Sequence, residues 1–134
     1  MIGYLQNRFL KHSNLYNMKI NGTWKSHSGS TLILTENNGI LSGTFHRGSE
    51  PEGATHTVTG SIDPDDSPSV GPISFSVAWS GPDGESYHSV TAYTGQLNAK
   101  KDSPFLEVIF MMAGAETPLW RGTGISYDNF DKVG

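Results

Sequence analysis

Residues 73–96 read ISFSVAWSGPDGESYHSVTAYTGQ, and this stretch decides the fold. Its two halves alternate between large and small side chains, which is the period of a β-strand. The segment Gly81-Pro82-Asp83-Gly84 between them is typical of a turn, so the stretch is predicted to form a hairpin. The residues that share one face are Phe75, Val77 and Trp79 in the first half and Tyr87, Ser89, Thr91 and Tyr93 in the second.

This face is unusual for a core, because an ordinary core face would consist of Val, Ile and Leu. It carries aromatic rings with two small hydroxyl groups, Ser89 and Thr91, between them. Apolar walls with a few placed hydrogen-bonding groups are typical of a small-molecule pocket. The alternative is that these are satisfied hydroxyls and rings of an ordinary barrel interior.

The composition sets limits on the class of protein. A chain of 134 residues is long enough for one domain with one core. The 16 glycines and 7 prolines, with only 16% charged residues, favour short strands and tight turns. The net charge of −4 without a basic cluster argues against nucleic acid and anionic membrane surfaces as partners. No apolar run approaches the roughly 20 residues of a membrane span, and the absence of cysteine excludes disulfides and Cys-ligated zinc.

Eight strand candidates follow one another from residue 19, separated by strong turn signals. They are Lys19–Lys25, Ser30–Thr35, Gly39–His46, Ala54–Ile62, Ile73–Ser80, Ser86–Gln96, Pro104–Met112 and Leu119–Tyr127. Short connections favour an all-β fold, an eight-stranded antiparallel up-and-down β-barrel, because closure removes both sheet edges. A barrel of eight strands has room for one small ligand.

The N-terminal residues 1–18 are expected to be an extension outside the barrel, which then occupies residues 19–134. The extension lacks the apolar core and cleavage site of a signal peptide. A short helix, a frayed arm, or upstream sequence before a start at Met18 are the alternatives.

The seventh strand candidate is apolar on both faces. If alternate residues of Val108–Met112 point inward, Ile109 and Met111 point outward, and Ile125 is in a similar position on the next strand. Because the outer face of an antiparallel barrel is usually polar, this patch predicts a subunit interface. The alternative is a set of scattered exposed apolar residues.

A family resemblance emerges from segments taken in order. They are Gly22-Thr23-Trp24, Gly29-Ser30-Thr31, Leu41–Phe45, Val77-Ala78-Trp79, His88–Gln96, Trp120 and Asp128–Val133. This ordered set resembles the avidin and streptavidin family. The resemblance implies an eight-stranded barrel that holds biotin in its mouth, assembles as a homodimer or homotetramer, uses no cofactor and is secreted.

The resemblance also implies aromatic contacts with the ligand. Trp79 matches a tryptophan of the pocket wall, while Tyr93 and Phe110 stand where the family usually has two further tryptophans. Trp120 matches the tryptophan that a neighbouring subunit contributes as a lid.

Polar contacts are implied by the same resemblance. Ser89 matches a residue that binds the ligand carboxylate, and Thr91 matches the hydroxyl that faces the ring sulfur. Asp128 matches the acceptor for one ureido N–H, and Ser30 matches one of three donors to the ureido oxygen.

Three positions that contact the ureido group in the family also depart from its pattern. The second ureido donor is Ser26 in place of Asn, and the third is Phe45, which has no hydroxyl. Arg47 replaces the short hydroxyl that accepts the other ureido N–H. One missing donor costs about 1–3 kcal/mol, and Arg47 suits an anion better than a neutral urea. The sequence therefore leaves two ligands open: biotin, or another small anionic or sugar-like molecule with weak or no biotin binding.

Other residues are assigned structural roles. Trp24 is expected to plug the far end of the barrel, and a pair between Asp128 and Arg47 would fill the floor and exclude biotin. The five histidines show no metal spacing and are expected at the surface or an interface, with no metal site. They are His12, His27, His46, His56 and His88.

No catalytic function is predicted. No Ser/His/acid trio occurs at motif spacing, and the paired acids Asp65-Asp66 lie in a turn. Gly22-Thr23-Trp24 with the late Arg121 is also similar to the lipocalins, but those carry a C-terminal helix and this chain is predicted to end with its eighth strand.

Overall fold

The computed structural model of the chain describes residues 20–63, 70–99 and 103–134. It contains eight strands and one short 3-10 helix among these residues. The strands are β1 Gly22–Ser26, β2 Thr31–Asn37, β3 Ile40–His46, β4 His56–Ile62, β5 Val70–Ser80, β6 Ser86–Asn98, β7 Phe105–Gly114 and β8 Gly124–Lys132. The expected N-terminal extension lies outside the described residues and stays a prediction.

The strands form a closed barrel in sequence order, each antiparallel to the next. Closure is made by β1 and β8, where Trp24 pairs with Lys132 and Ser26 with Phe130. The predicted all-β, eight-stranded antiparallel up-and-down β-barrel is therefore confirmed. Within it, the loops after β1, β3, β5 and β7 lie at one end, which we call the mouth.

Strands β5 and β6 form the predicted hairpin. Phe75 is opposite Tyr93, and Val77 is opposite Thr91. The turn is closed by a hydrogen bond from the Gly81 N–H to the Glu85 carbonyl at 2.9 Å. Because the inward residues of the two strands face each other in pairs, rings and hydroxyls meet inside the barrel.

The eighth strand differs from its predicted bounds of Leu119–Tyr127. Residues Leu119–Gly122 form a 3-10 helix, and the strand starts only at Gly124. In this turn the Arg121 N–H bonds to the Pro118 carbonyl at 3.1 Å, so the backbone is satisfied without a strand partner. The pattern of apolar residues did not distinguish this turn from the strand that follows it.

The fifth strand begins at Val70, three residues before its predicted start. Pro72 is tolerated inside it because β4 pairs with β5 only as far as Ile62 opposite Ile73. The Pro72 carbonyl still accepts the Asp63 N–H at 3.1 Å. The missing N–H of Pro72 therefore falls beyond the end of the neighbouring strand.

The core fills the barrel below the mouth. Trp24 is fully buried, as expected for a plug, and its indole N–H donates to the Ile20 carbonyl at 2.9 Å. Leu32, Leu97 and Phe130 are fully buried around it. These buried side chains belong to one hydrophobic cluster that fills this part of the barrel.

The outer wall of β6–β8 carries an apolar patch that contains the predicted residues Ile109, Met111 and Ile125. With the neighbouring exposed residues Val90 and Tyr127, these define the apolar patch. All five are exposed, Ile125 at 67% and Ile109 at 60%. They are adjacent across the strands, since Met111 pairs with Ile125 and Ile109 with Tyr127. The patch is therefore contiguous rather than scattered.

Among the described residues, no helix has the length and apolar character needed to cross a membrane.

Candidate functional site

A cavity of about 360 Å³ opens at the mouth of the barrel. Side chains from distant strands line it, together with residues of the loop after β1. The lining residues are Ser28, Ser30, Phe45, Arg47, Trp79, Tyr87, Ser89, Thr91, Tyr93, Phe110, Met112, Gly124, Ile125, Ser126 and Asp128.

Nine of the eleven predicted site residues belong to this lining, and Ser26 does not. Ser26 is buried, and its hydroxyl accepts the Ser30 N–H at 2.8 Å and lies 2.9 Å from the Ser28 hydroxyl. It therefore shapes the loop beneath the cavity. Trp120 lies in the 3-10 helix, and its side chain is outside what the structure describes.

The floor of the cavity is a cluster of aromatic rings with Phe45 at its centre. Phe45 packs edge-on against Trp79 at 5.4 Å between ring centroids and is stacked on Tyr93 at 5.7 Å. Tyr93 in turn lies 4.6 Å from Phe75 and 5.2 Å from Phe110. Such pairs stabilise by about 0.5–1.5 kcal/mol each beyond area burial, so the apolar walls are held rigidly.

The hydroxyl of Thr91 is oriented by its neighbour across the hairpin. The indole N–H of Trp79 donates to Thr91 Oγ1 at 2.7 Å, and both side chains are buried. Because this bond uses an acceptor site of the hydroxyl, Thr91 keeps its own O–H proton for another acceptor. Trp79 and Thr91 thus face the same interior.

Arg47 is held at the rim by a carboxylate that the sequence analysis had not assigned. Glu50 Oε1 accepts the Arg47 N–H at 2.9 Å and lies 3.4 Å from Arg47 Nε. His56 Nε2 donates to the other oxygen, Oε2, at 2.7 Å. The Arg47 guanidinium lies over the Trp79 ring at 4.7 Å, and His56 meets the same ring edge-on at 4.9 Å.

This network stabilises the charged form of Glu50. Partial burial raises the pKa of Glu50, but hydrogen bonds from the Arg47 N–H, the His56 ring and the Arg47 guanidinium outweigh it. Together they lower that pKa from 4.5 to about 2. Glu50 therefore stays ionised through the neutral range, and the loop after β3 is tied to the wall that Trp79 forms.

The position of His56 corrects an expectation, because a surface role was predicted for all five histidines and His56 is buried. It opens β4, in which His56, Val58 and Ile62 are buried in alternation. This alternation along β4 was the sequence signal that could have placed His56 in the interior. For Glu50 the only signal was its spacing of three residues from Arg47, within a segment typical of a turn.

Asp128 is not paired with Arg47, the partner that the sequence suggested for it. Its carboxylate accepts the Ser28 hydroxyl at 2.8 Å and the Asn129 N–H at 2.8 Å. Arg47 is instead paired with Glu50, so the alternative in which an Asp128–Arg47 pair fills the floor is wrong. Six lining residues were not among the predicted site residues, and of these Ser28 is the one that bonds to Asp128. The other five are Tyr87, Met112, Gly124, Ile125 and Ser126.

The charges of Asp128 and Arg47 both affect the pKa of Tyr93. Burial is the main cause that raises its pKa, the nearby Asp128 carboxylate raises it further and Arg47 lowers it, with a result of about 12. The phenol is therefore neutral at physiological pH and faces a cavity with an anion and a cation. No cluster of three or more potential metal ligands occurs among the residues that the structure describes.

Comparison with known protein families identifies a match. The family model described as "Avidin family" matches residues 14–133. The match spans nearly the whole chain, including all eight strands and the cavity lining. Members of this family are non-enzymatic ligand binders, and the closed eight-stranded barrel with a cavity at its mouth agrees with that fold. The chain belongs to the avidin family.

Proposed function

We propose that this protein binds biotin in the cavity at the barrel mouth and catalyses no reaction. Biotin combines a compact ring that carries N–H groups with an acid side chain. The cavity offers matching chemistry: aromatic walls, the acceptor Asp128, and hydroxyls at Ser30, Ser89 and Thr91. Apolar walls supply affinity and the sparse polar groups supply orientation.

The observation that carries the proposal is the bond from Trp79 to Thr91 inside an open cavity of about 360 Å³. A barrel stabilised only by packing would fill this space with its own side chains. The mouth instead holds pre-oriented polar atoms above an aromatic floor.

Assembly is part of the proposal. The apolar patch on β6–β8 is the surface that a second copy would cover, giving a homodimer or homotetramer. Trp120 of a neighbouring subunit then acts as the lid that the family resemblance implies. A chromatographic mass equal to the 14.5 kDa of one chain would contradict this part.

A second candidate ligand is favoured by one feature. Arg47 lines the cavity and carries a charge that a neutral urea does not match. Under this alternative the fold is retained and the ligand is a different small anionic or sugar-like molecule, with weak or no biotin binding.

Calorimetry with biotin tests the first candidate. Saturable heat at micromolar protein and ligand is expected for the wild type. The double variant Phe45→Tyr, Arg47→Ser restores a donor and an acceptor, so we expect it to bind biotin at least tenfold more tightly. No heat with the wild type would favour the second candidate, and no gain in the double variant would contradict the assignment of these two positions.

A further inference from the structure

Two opposite charges line the cavity without being paired with each other. The ion pair of Arg47 is made with Glu50, and the Asp128 carboxylate accepts from Ser28 and the Asn129 N–H. Both Arg47 and Asp128 belong to the cavity lining. Both side chains therefore retain hydrogen-bonding capacity for groups of a ligand.

Arg47 presents a defined end to the cavity. Its Nε is buried and lies 3.4 Å from Glu50 Oε1, while 39% of the side chain is exposed. Since Nε is turned towards Glu50 and the guanidinium lies on Trp79, the terminal Nη groups are the donors that a ligand reaches. A guanidinium has donors only, and its planar fork matches a carbonyl or carboxylate oxygen.

Asp128 presents the opposite chemistry. Each of its two oxygens accepts one hydrogen bond, from Ser28 and from Asn129. An ionised carboxylate has about four acceptor sites and no donor. It therefore retains acceptor capacity, and the group that suits it is an N–H.

The two charges act on one shared space. The Tyr93 phenol responds to both, since Asp128 raises its pKa and Arg47 lowers it. Phe45 and Phe110 line the same space with apolar surface. A ligand that occupies it needs a compact apolar body with a donor on one flank and an acceptor on the other.

We propose that this cavity selects a ring with an N–H facing Asp128 and a carbonyl or carboxylate oxygen facing Arg47. Such a ligand is a lactam that carries a carboxylate, rather than a symmetrical cyclic urea. A cyclic urea has N–H groups on both flanks and sets one of them against the donors of Arg47. The inference rests on the proposed use of the cavity for ligand binding and names the head group that it prefers. Biotin, whose head group is a cyclic urea, then binds in the same cavity but with a less favoured head group.

The test compares three small probes by NMR titration of the full chain. Pyroglutamate has an N–H and a carboxylate, 2-imidazolidone has N–H groups on both flanks, and cyclopentanecarboxylate has no N–H. For the wild type we expect pyroglutamate to bind at least tenfold more tightly than either other probe. In Arg47→Ser the preference for pyroglutamate over 2-imidazolidone should be lost. Lys25→Ser removes the same charge from the exposed outer wall and should leave the preference unchanged.

Arg47→Lys covers the case in which Arg47→Ser does not fold. It keeps the charge without the planar fork, so the preference for pyroglutamate should shrink without reversing. A wild type that prefers 2-imidazolidone, or a preference that is the same in Arg47→Ser, would overturn the inference. If biotin binds but this preference is absent, only the head-group assignment fails. If neither biotin nor any probe binds, the proposed function fails with it.

Discussion

The replacement Glu50→Gln removes the charge that ties the loop after β3 to the barrel wall. In the wild type, hydrogen bonds from Arg47 and His56 lower the pKa of Glu50 from 4.5 to about 2. At about 1.4 kcal/mol for each pKa unit, this difference corresponds to about 3 kcal/mol of stability. The side chain of Glu50 is only 11% exposed, so solvent screening weakens the effect little.

The sign of the pH dependence follows from the direction of the shift. A carboxyl group with a lowered pKa in the folded state stabilises the fold fully above pH 4.5. This contribution is lost as the pH falls towards 2. The variant has no carboxylate to protonate, so the stability difference between wild type and variant should be largest near pH 6 and should shrink as the pH falls through about 2.

Urea denaturation of both proteins at several pH values measures this difference. Using the difference cancels the other carboxyl groups, which titrate in both proteins. We expect about 3 kcal/mol above pH 5, falling steadily below pH 4.5. If the stability difference stays constant with pH, the ionised carboxylate of Glu50 is not what stabilises the fold, even if the variant is less stable. His56→Ala, which removes one donor, should show a smaller dependence of the same sign.

Three further predictions concern the floor, the core and the outer wall. Ultraviolet titration should give a tyrosine pKa near 12 that disappears in Tyr93→Phe. Because folding favours the neutral phenol of Tyr93, the stability of the wild type should decrease as the pH rises from 10 to 12. Phe75→Ala empties a fully buried site and should cost about 3–5 kcal/mol in urea denaturation. The variant Ile109→Glu, Met111→Glu should elute as a monomer on gel filtration while the wild type elutes as an oligomer, and a monomeric wild type would contradict the interface.

The barrel was predictable from the sequence because its strands alternate cleanly between inward and outward residues. In β5 and β6 the alternation predicts that Phe75 and Val77 share one face and that Thr91 and Tyr93 share one face. The structure pairs Phe75 with Tyr93 and Val77 with Thr91. Errors occurred where alternation carries no information. Leu119 and Trp120 are apolar, yet they lie in a 3-10 helix stabilised by its own hydrogen bonds.

The site was predictable where it lies on strands and not where it lies on loops. Periodicity places the strand residues Trp79 and Thr91 on the inner face, but it cannot place a loop carboxylate. Glu50 and Ser28 reach the site through loop conformations that bring them to Arg47 and Asp128. The sequence could suggest only Asp128 as a conditional partner for Arg47, because alternation identifies inward carboxylates on strands and does not place the loop carboxylate of Glu50.

The most direct test of the central claim is a crystal structure of the protein grown with saturating biotin. The account predicts that biotin lies in the mouth of the barrel, with its ring between Trp79, Tyr93 and Phe110 and an N–H directed to Asp128. Density for biotin elsewhere on the molecule, or a cavity that holds only water at saturation, would contradict it.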